Sequence, residues 1–478
     1  MGFSKFIGYD REGAIKELPT TLNKGRLNTF GVVMAALGFN APAWVAASSM
    51  SILYSISGKA SPLAILIAYF FPMLVLALSM VYLTRQAPSA AGVFTFSEKF
   101  IHPHAATILG WSYVICCATV TPMTAVIGTE YIQALIPGLQ GVFAAKLIGT
   151  VLILVFLLVC LRGIDITAKV AGTFLIFEIL VVAGLGLCGI LNPQVEHLSF
   201  SSLYSIKEAG GWSVLGPAVL FGVWMLANFD SSINLIEEAK VPVRTVQRSI
   251  ILVVTSAFII YSIAAIGWQY AIPVEKLASI VESGDGGPIA AVANVYLPPA
   301  LSWVALFVVI TSACAGLQIS LTSGSRAAYR MSIEGHLPNV FSTINKRKVP
   351  WLVNILICLY AIILVWLKPL SQLQWYYDVV TITLVFSYLA ILVSFIRAMF
   401  MHKSIGVALL ASIFPVLAMG VLGYIGYTAG AVPVNPDDLY NAWYLGAGII
   451  ITGVFWVFYG KRNGKRNTID LKISQNVK

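Results

Sequence analysis

Charged residues are scarce in this chain. Asp, Glu, Lys and Arg make up 10% of its 478 residues, whereas hydrophobic residues make up 58%. Soluble globular domains carry roughly 25% charged residues, so an ordinary soluble domain is excluded. The mean hydropathy of +0.86 instead places the chain in a lipid bilayer.

The side chains that enzymes use for catalysis are few and scattered. The five histidines lie in predicted loops or at the ends of apolar segments, and the six cysteines form no paired Cys-x-x-Cys, so neither a catalytic cluster nor a metal site is predicted. A phosphate-binding Gly-x4-Gly-Lys-Ser/Thr loop is absent, which argues against direct use of ATP. The sequence therefore predicts a protein that is not an enzyme and carries no cofactor or metal.

Apolar segments long enough to cross the roughly 30 Å hydrocarbon core of a bilayer recur along nearly the whole chain. Helices satisfy their own backbone in lipid, so we predict an all-α integral membrane protein with twelve transmembrane helices. The predicted spans are 29–55, 62–84, 105–136, 141–161, 167–191, 214–236, 249–271, 289–325, 350–368, 375–397, 404–429 and 439–459. The eighth is too long for one plain crossing, and its end from about Leu321 is expected to continue as helix into the water.

The net charge of +10 is distributed unevenly along the chain. With a cytoplasmic N-terminus, all but five of the 30 Lys and Arg fall on the inner side of the membrane; the exceptions are Lys59, Lys146, Lys207, Lys276 and Lys368. This asymmetry follows the positive-inside rule and predicts that both termini are cytoplasmic. We expect the protein to lie in the plasma (inner) membrane. No nucleic-acid partner is needed to explain the basic charge. Residues 1–28 lack the apolar core of a cleavable signal peptide.

The first span contains a candidate helix break. Its centre, from Gly38 to Ala43, combines a glycine with Asn40 and Pro42. Proline removes a helical hydrogen bond and clashes with the preceding turn, so the helix is expected to kink or open near Asn40. Backbone that opens at mid-membrane needs a cavity or a ligand to satisfy it. A merely structural kink at Pro42 is the alternative.

The sixth span contains a second candidate break, in the segment WMLANFDSSI at 224–233. Asp230 is its most informative residue, because a carboxylate at the bilayer centre costs about 2.5–3.5 kcal/mol on insertion scales and usually faces a functional interior. Asn228 has an alternative role as an interhelical hydrogen-bond donor. Interrupted helices at corresponding positions of two halves mark the substrate site of transporters. We therefore expect 40–42 and 227–230 to face each other across a central cavity.

Residues 229–250, FDSSINLIEEAKVPVRTVQRSI, resemble the amino acid–polyamine–organocation transporters, with Asp230 standing for the family's glutamate and Val241 for its asparagine. The resemblance covers about residues 28 to 400. Weaker matches are PSAAGVFTFSEKF at 88–100, LRGIDITAKV at 161–170 and SRAAYRMSIEGHLPNVF at 325–341. The resemblance implies the leucine-transporter fold, in which spans 1–5 and 6–10 form a 5+5 inverted repeat with discontinuous helices 1 and 6.

The resemblance also implies how the chain is divided. The expected parts are a cytoplasmic N-terminal segment (1–28), a transport core (29–400) with repeats at about 29–191 and 214–400, helices 11 and 12 (401–460) and a basic cytoplasmic tail (461–478).

Two positions bear on the substrate. Trp224 lies six residues before Asp230, where the resemblance implies an aromatic ring that caps the substrate; simple packing is the alternative. The family's break in span 1 is commonly Gly-Ser-Gly, whose amides can cradle a substrate carboxylate, but Asn40, Ala41 and Pro42 stand here. Pro42 has no N–H to donate, which weakens the case for a standard α-amino acid and leaves room for an amine without a carboxylate.

Glu178 in span 5 suggests proton coupling. The resemblance implies a lysine near this point in many proton-coupled relatives, so the charge is reversed here. A carboxyl group among Phe, Ile and Leu side chains favours its neutral form, which suits a proton carrier; an interhelical hydrogen bond is the alternative. The hydroxyl-rich segment from Ser320 to Ser325 is a weaker candidate for sodium, because such residues more often bond to their own helix.

Together these features predict a secondary transporter that moves amino acids or related organic amines by alternating access, coupled to protons or exchanging substrates. A polyamine or biogenic amine transporter is the alternative. A channel would need a continuous polar stripe or a filter motif, and a membrane enzyme would need clustered catalytic residues. The predicted substrate-binding residues are Asn40, Ala41, Pro42, Trp224, Ala227, Asn228 and Asp230, and the predicted proton-coupling residues are Glu178 and Asp230. The oligomeric state is left open.

Overall fold

The computed structural model describes residues 25–195, 198–280, 287–301, 303–367, 373–431, 444 and 446–459. The basic tail at 461–478 and most of the N-terminal segment therefore lie outside the described residues. The α-helices are α1 (Thr29–Asn40), α2 (Pro42–Ser57), α3 (Ser61–Ala68), α4 (Leu74–Gln86), α5 (Val93–Phe100), α6 (Pro103–Leu135), α7 (Val142–Leu161), α8 (Ile164–Leu191), α9 (Trp212–Met225), α10 (Pro242–Ala271), α11 (Val274–Ser279), α12 (Gly287–Tyr296), α13 (Trp303–Ile333), α14 (Trp351–Leu367), α15 (Leu373–His402), α16 (Ile405–Ala431) and α17 (Gly446–Tyr459). Across these ranges the only strand-like pairing is an isolated bridge between Leu27 and Ala239.

Nine stretches of the described residues are long and apolar enough to cross a membrane. The first, Thr29–Gln86, is 58 residues long and holds several helices, while α14 and α17 are apolar but shorter. The prediction of an all-helical, multi-pass membrane protein is confirmed. The count of twelve crossings and the inverted repeat stay predictions.

The predicted eighth span, 289–325, is wrong as a single element. The structure divides it into α12, a short 3-10 turn at Pro299–Leu301 and α13. Consecutive prolines at 298 and 299 explain the division, because proline cannot donate the backbone hydrogen bond that a continuing helix requires. The expected continuation beyond Leu321 is present, since α13 runs on to Ile333.

The first predicted break lies between α1 and α2. Ala41 separates the two helices and has a left-handed backbone with φ of +51°, which is uncommon for a residue other than glycine. Pro42 opens α2 at its first position, where a helix has no intrahelical use for the missing N–H. The proline therefore starts a new helix rather than bending an old one.

The second predicted break follows α9. Asn228 has a left-handed φ of +69°, and Phe229–Glu238 then continues as a 3-10 helix. Asparagine adopts this conformation more readily than most residues. The sequence predicted a membrane helix reaching residue 236, and the structure shows that the portion after the break is wound more tightly than an α-helix.

Helix burial separates a core from a periphery. α6 is buried along almost its whole apolar length and packs against α13 and α15. The outer helices α7 and α16 expose apolar side chains such as Leu158 and Leu410, which in a bilayer face lipid. Both helix breaks lie on the inner side of this arrangement, because Ala41 and Ala227 are buried.

Candidate functional site

The two helix breaks are hydrogen-bonded to each other through Asn40. Its Nδ2 donates to the carbonyl oxygens of Met225 and Ala227, each at 2.9 Å, and its Oδ1 accepts from the Tyr261 hydroxyl at 2.5 Å. Carbonyls at the end of a helix lack intrahelical donors, so Asn40 satisfies those that the break in the sixth span exposes. The structure thus brings Asn40 of the first break into direct contact with Ala227 of the second, and both side-chain N–H groups of Asn40 are used where the breaks meet.

Asp230 lies directly after the second break and is buried, with 2% of its surface exposed. The Tyr388 hydroxyl donates to Asp230 Oδ1 at 2.8 Å and accepts the Asn228 N–H at 3.0 Å. Tyr113 of α6 is a second hydroxyl neighbour of this carboxyl group and accepts a hydrogen bond from Asn234 at 2.6 Å. Within the described part of the chain no Lys or Arg pairs with Asp230.

Asn228 and Ala227 contribute backbone groups rather than side chains to these contacts. The Asn228 carbonyl accepts the Ser231 hydroxyl at 2.8 Å, which closes the turn, and its side chain is partly exposed. The polar lining at this break is therefore the Asp230 carboxyl group together with the hydroxyls that surround it.

Glu178 lies midway along α8 and reaches the start of α2. Its Oε2 accepts the Ala43 N–H at 3.3 Å and the Ser312 hydroxyl at 2.6 Å, while Ser312 Oγ accepts the Trp44 N–H at 3.1 Å. The first amides of a helix lack intrahelical acceptors and lie at its positive end. Glu178 and Ser312 thus cap the helix that Pro42 begins. Glu178 Oε1 is buried and has no hydrogen-bond partner.

Trp224 belongs to an aromatic cluster beside the breaks. Its ring centroid lies 6.0 Å from that of Trp44 and 5.1 Å from that of Tyr377, both edge to face, and 6.0 Å from the stacked ring of Phe221. This geometry joins α2, α9 and α15. The ring has packing partners on several sides and is also half-buried at the end of α9.

The hydroxyls at 320–325 bond mainly to their own helix. Ser320, Thr322 and Ser325 donate to the carbonyls of Leu317, Gln318 and Thr322 at 2.8, 2.9 and 3.1 Å. These are the local bonds that Ser and Thr commonly make within a helix. Ser323 Oγ is buried without a hydrogen-bond partner.

The end of the 3-10 segment is tied to α13 and to the start of α1. Arg326 donates from Nε and Nη2 to the two carboxylate oxygens of Glu238 at 2.7 and 2.9 Å, and both side chains are buried. The Glu238 carbonyl also accepts the Leu27 N–H at 3.0 Å. Sequence reasoning missed this pair, although the charged run after Asp230 and the arginine at the end of the eighth span were its signals.

The fold and these contacts define a class: a multi-pass helical membrane protein with two interrupted helices that meet beside a buried carboxyl group. A model of the family described as "Amino acid permease" matches residues 25–456. The chain therefore belongs to the amino acid permease family, within the amino acid–polyamine–organocation superfamily. The resemblance drawn from residues 229–250 is confirmed.

Individual relatives are distant from this chain. The D-serine/D-alanine/glycine transporter of Escherichia coli O6:H1 is 26% identical over 270 residues, which are 53% of this chain and 54% of that protein. The glutamate/serine transporter AimA of Bacillus subtilis is 25% identical over 51% of this chain and 47% of its own length. A probable proline-specific permease of Schizosaccharomyces pombe is 23% identical over 65% and 60%. The chain spans about half the length of the first two relatives.

Proposed function

We propose that the protein is a secondary transporter that moves small amino acids or related amines across the membrane by alternating access. The observation that carries this proposal is the direct meeting of two helix breaks beside the buried Asp230. A break in each of two packed helices supplies both a polar site and a point of flexure at the same depth. Twelve crossings, the inverted repeat, a plasma membrane location and cytoplasmic termini complete the proposal.

Within this site we assign Asp230 to the substrate's ammonium group. No lysine or arginine of the described residues neutralises it, so a cationic group of the cargo is a natural partner at this depth. Tyr388 would hold the carboxyl group in place. Trp224 would cover the ligand, because its ring lies at the end of α9 just before the break.

We assign Glu178 to the movement of protons. The carboxyl group is fully buried, and its unpartnered Oε1 is an atom on which a proton can reside. A change in its charge would be felt at the start of α2, because Oε2 accepts the Ala43 N–H. Sodium coupling is the weaker alternative, since Ser320, Thr322 and Ser325 in the candidate segment donate to carbonyls of their own helix.

Serine is the first substrate to test. Relatives are named as transporters of D-serine, of glutamate and serine, and probably of threonine and serine, so a small hydroxylated amino acid is common to them. An amine without a carboxylate is the second candidate, because the amides that begin α2 already bond to Glu178 and Ser312.

Proteoliposomes that contain the purified protein test this proposal. We expect uptake of L-serine, D-serine or ethanolamine that saturates with concentration, and uptake that responds to an imposed pH gradient. Flux that rises linearly with concentration and never saturates would point to a channel. Absence of flux for all three compounds would contradict the assigned substrate class.

A further inference from the structure

The start of α2 holds a carboxyl group of the protein itself. Pro42 has no N–H, the Ala43 N–H donates to Glu178 Oε2, and the Trp44 N–H donates to Ser312 Oγ, which in turn donates to the same Glu178 oxygen. The Val45 N–H already bonds to the Ala41 carbonyl within the helix. All free donors at this helix end are therefore directed, directly or through Ser312, to one carboxyl group.

The second oxygen of that group has no partner. Glu178 Oε1 has no hydrogen-bond partner within the protein, and because Glu178 has no exposed surface, bulk water does not reach this oxygen either. Burying an ionised carboxylate with one oxygen unsatisfied and no cation nearby is costly. The titratable groups that its charge reaches are Tyr261 of α10 and Cys314 of α13, and neither is a cation. Among the described residues, no Lys, Arg or His forms an ion pair with Glu178.

We propose that Glu178 occupies the subsite for a substrate carboxylate, so that its own ionised carboxyl group and that of the substrate bind there in alternation. This inference rests on the proposed function. An ionised Glu178 would exclude a second carboxylate in two ways, by holding the Ala43 N–H through a charge-assisted hydrogen bond and by like-charge repulsion. Protonation of Glu178 removes the repulsion and weakens its hydrogen bond with the Ala43 N–H. A substrate carboxylate can then accept the hydrogen bond from this N–H instead.

The consequence is that binding should depend more strongly on pH for substrates that carry a carboxylate than for those that lack one. Serine would require a protonated Glu178, whereas ethanolamine, which is serine without its carboxylate, would bind at Asp230 whatever the charge on Glu178. Both probes keep their own charges between about pH 5 and 7. Any difference in their pH dependence therefore reports on the protein, and a contribution from Asp230 is common to both.

Isothermal titration in buffers of different ionisation enthalpy measures this difference on the purified full-length protein. We expect serine to bind with uptake of up to one proton more than ethanolamine, and its affinity to fall as the pH rises by up to tenfold per pH unit once Glu178 ionises. Equal proton uptake and equal pH dependence for the two probes would overturn the inference while leaving the proposed function intact. Failure of serine to bind at every pH would count against both.

Two variants sharpen the test. In Glu178→Gln the difference between the probes should vanish, and serine should bind at all pH values as it binds the wild-type protein at low pH. The matched control is Glu275→Gln, the same change at an exposed position, which should behave as wild type. A persistent difference in Glu178→Gln would overturn the inference.

Ser312→Ala tests the same idea if Glu178→Gln does not fold. It removes one hydrogen bond to Glu178 and frees the Trp44 N–H, so serine should bind more tightly at the upper end of the pH range, by roughly two- to tenfold. The affinity for ethanolamine should not change. Weaker binding of serine in this variant would contradict the competition between the two carboxyl groups.

Discussion

Asn40 connects the two helix breaks through both hydrogen bonds that its side-chain amide donates. Replacing it with alanine would leave the carbonyls of Met225 and Ala227 buried without these donors, and an unsatisfied buried group costs about 1–3 kcal/mol. We expect Asn40→Ala to unfold at a lower temperature in detergent than wild type. Asn192→Ala, at an exposed position after α8, is the control, and equal melting temperatures for the two variants would contradict the bridging role.

Asp230 should recognise the cationic end of the substrate. Asp230→Asn keeps the hydrogen bond from Tyr388 but removes the charge, so the affinity for serine or ethanolamine should fall about tenfold or more, the scale of one charge-assisted hydrogen bond. Calorimetry at fixed pH measures it. Wild-type affinity in a folded Asp230→Asn protein would make Asp230 a structural residue and would place the ligand elsewhere.

The sequence pointed to Asp230 and Glu178 because a carboxyl group is conspicuous in an apolar run. It gave no sign of Tyr388 or Ser312, their closest partners, since tyrosine and serine are ordinary residues in membrane helices and the contacts join residues more than 130 positions apart. Distant pairings of this kind depend on how the helices pack. The hydrogen bonds from Asn40 to Met225 and Ala227 were not foreseen for the same reason, and its role in substrate binding stays a prediction.

At the scale of helices, α8 and α10 cross with almost no space between their backbones. A β-carbon on Gly267 would overlap the backbone at Gly186, and one on Gly189 would overlap Gly267. This crossing holds Tyr261 and Glu178 beside the first break, because α10 carries the tyrosine and α8 the glutamate.

Gly267→Ala should therefore force the two helices apart. Overpacking of this kind typically costs about 1–3 kcal/mol, and the shift should also weaken substrate binding. Gly184→Ala is the matched control, because a β-carbon there meets no atom within 4 Å. Thermal unfolding of both variants measures the difference, and a Gly267→Ala protein as stable as Gly184→Ala would contradict the close crossing.

The junction between α5 and the end of α13 should be sensitive to acid. A hydrogen bond from His336, with Nε2 at 3.1 Å from Glu98 Oε1, lowers the pKa of Glu98. A carboxyl group whose pKa falls on folding stabilises the folded state above its unfolded pKa of about 4.3, and that stability is lost as the pH falls through the lower folded pKa.

Glu98→Gln should consequently lose less stability than wild type when the pH is lowered below about 4.3. Melting temperatures measured across that range provide the comparison, with Glu275→Gln as the control for a surface glutamate. If the melting temperatures of wild type and Glu98→Gln fall by the same amount as the pH is lowered, Glu98 does not contribute to the acid sensitivity.

Apolar length predicted both ends of several helices closely, namely those of α6, α7, α8, α14 and α16, because lipid leaves a chain few other choices. The breaks were also predictable, since Pro42 and the polar residues around Asn228 stand out from their surroundings. The division of 289–325 was missed because its average hydropathy outweighed the proline pair at 298 and 299. The segment Phe229–Glu238 packs against α10 and α1, and its 3-10 winding has no local signature in the sequence.

For the whole molecule, the proposed alternating access requires that one site serve both sides of the membrane. The 3-10 segment after the second break is joined to the backbone of Leu27, two residues before α1, and to α13 through the pair of Glu238 and Arg326. Movement of α1 would therefore be transmitted to the segment that carries Asp230.

Counterflow of labelled serine into proteoliposomes tests the central claim most directly. Vesicles loaded with unlabelled serine should accumulate external labelled serine transiently above its equilibrium level if the wild-type protein returns through one alternating site. The same vesicles with folded Asp230→Asn protein should show little accumulation. Undiminished counterflow in Asp230→Asn, or wild-type flux without any counterflow, would contradict a transport site built around Asp230.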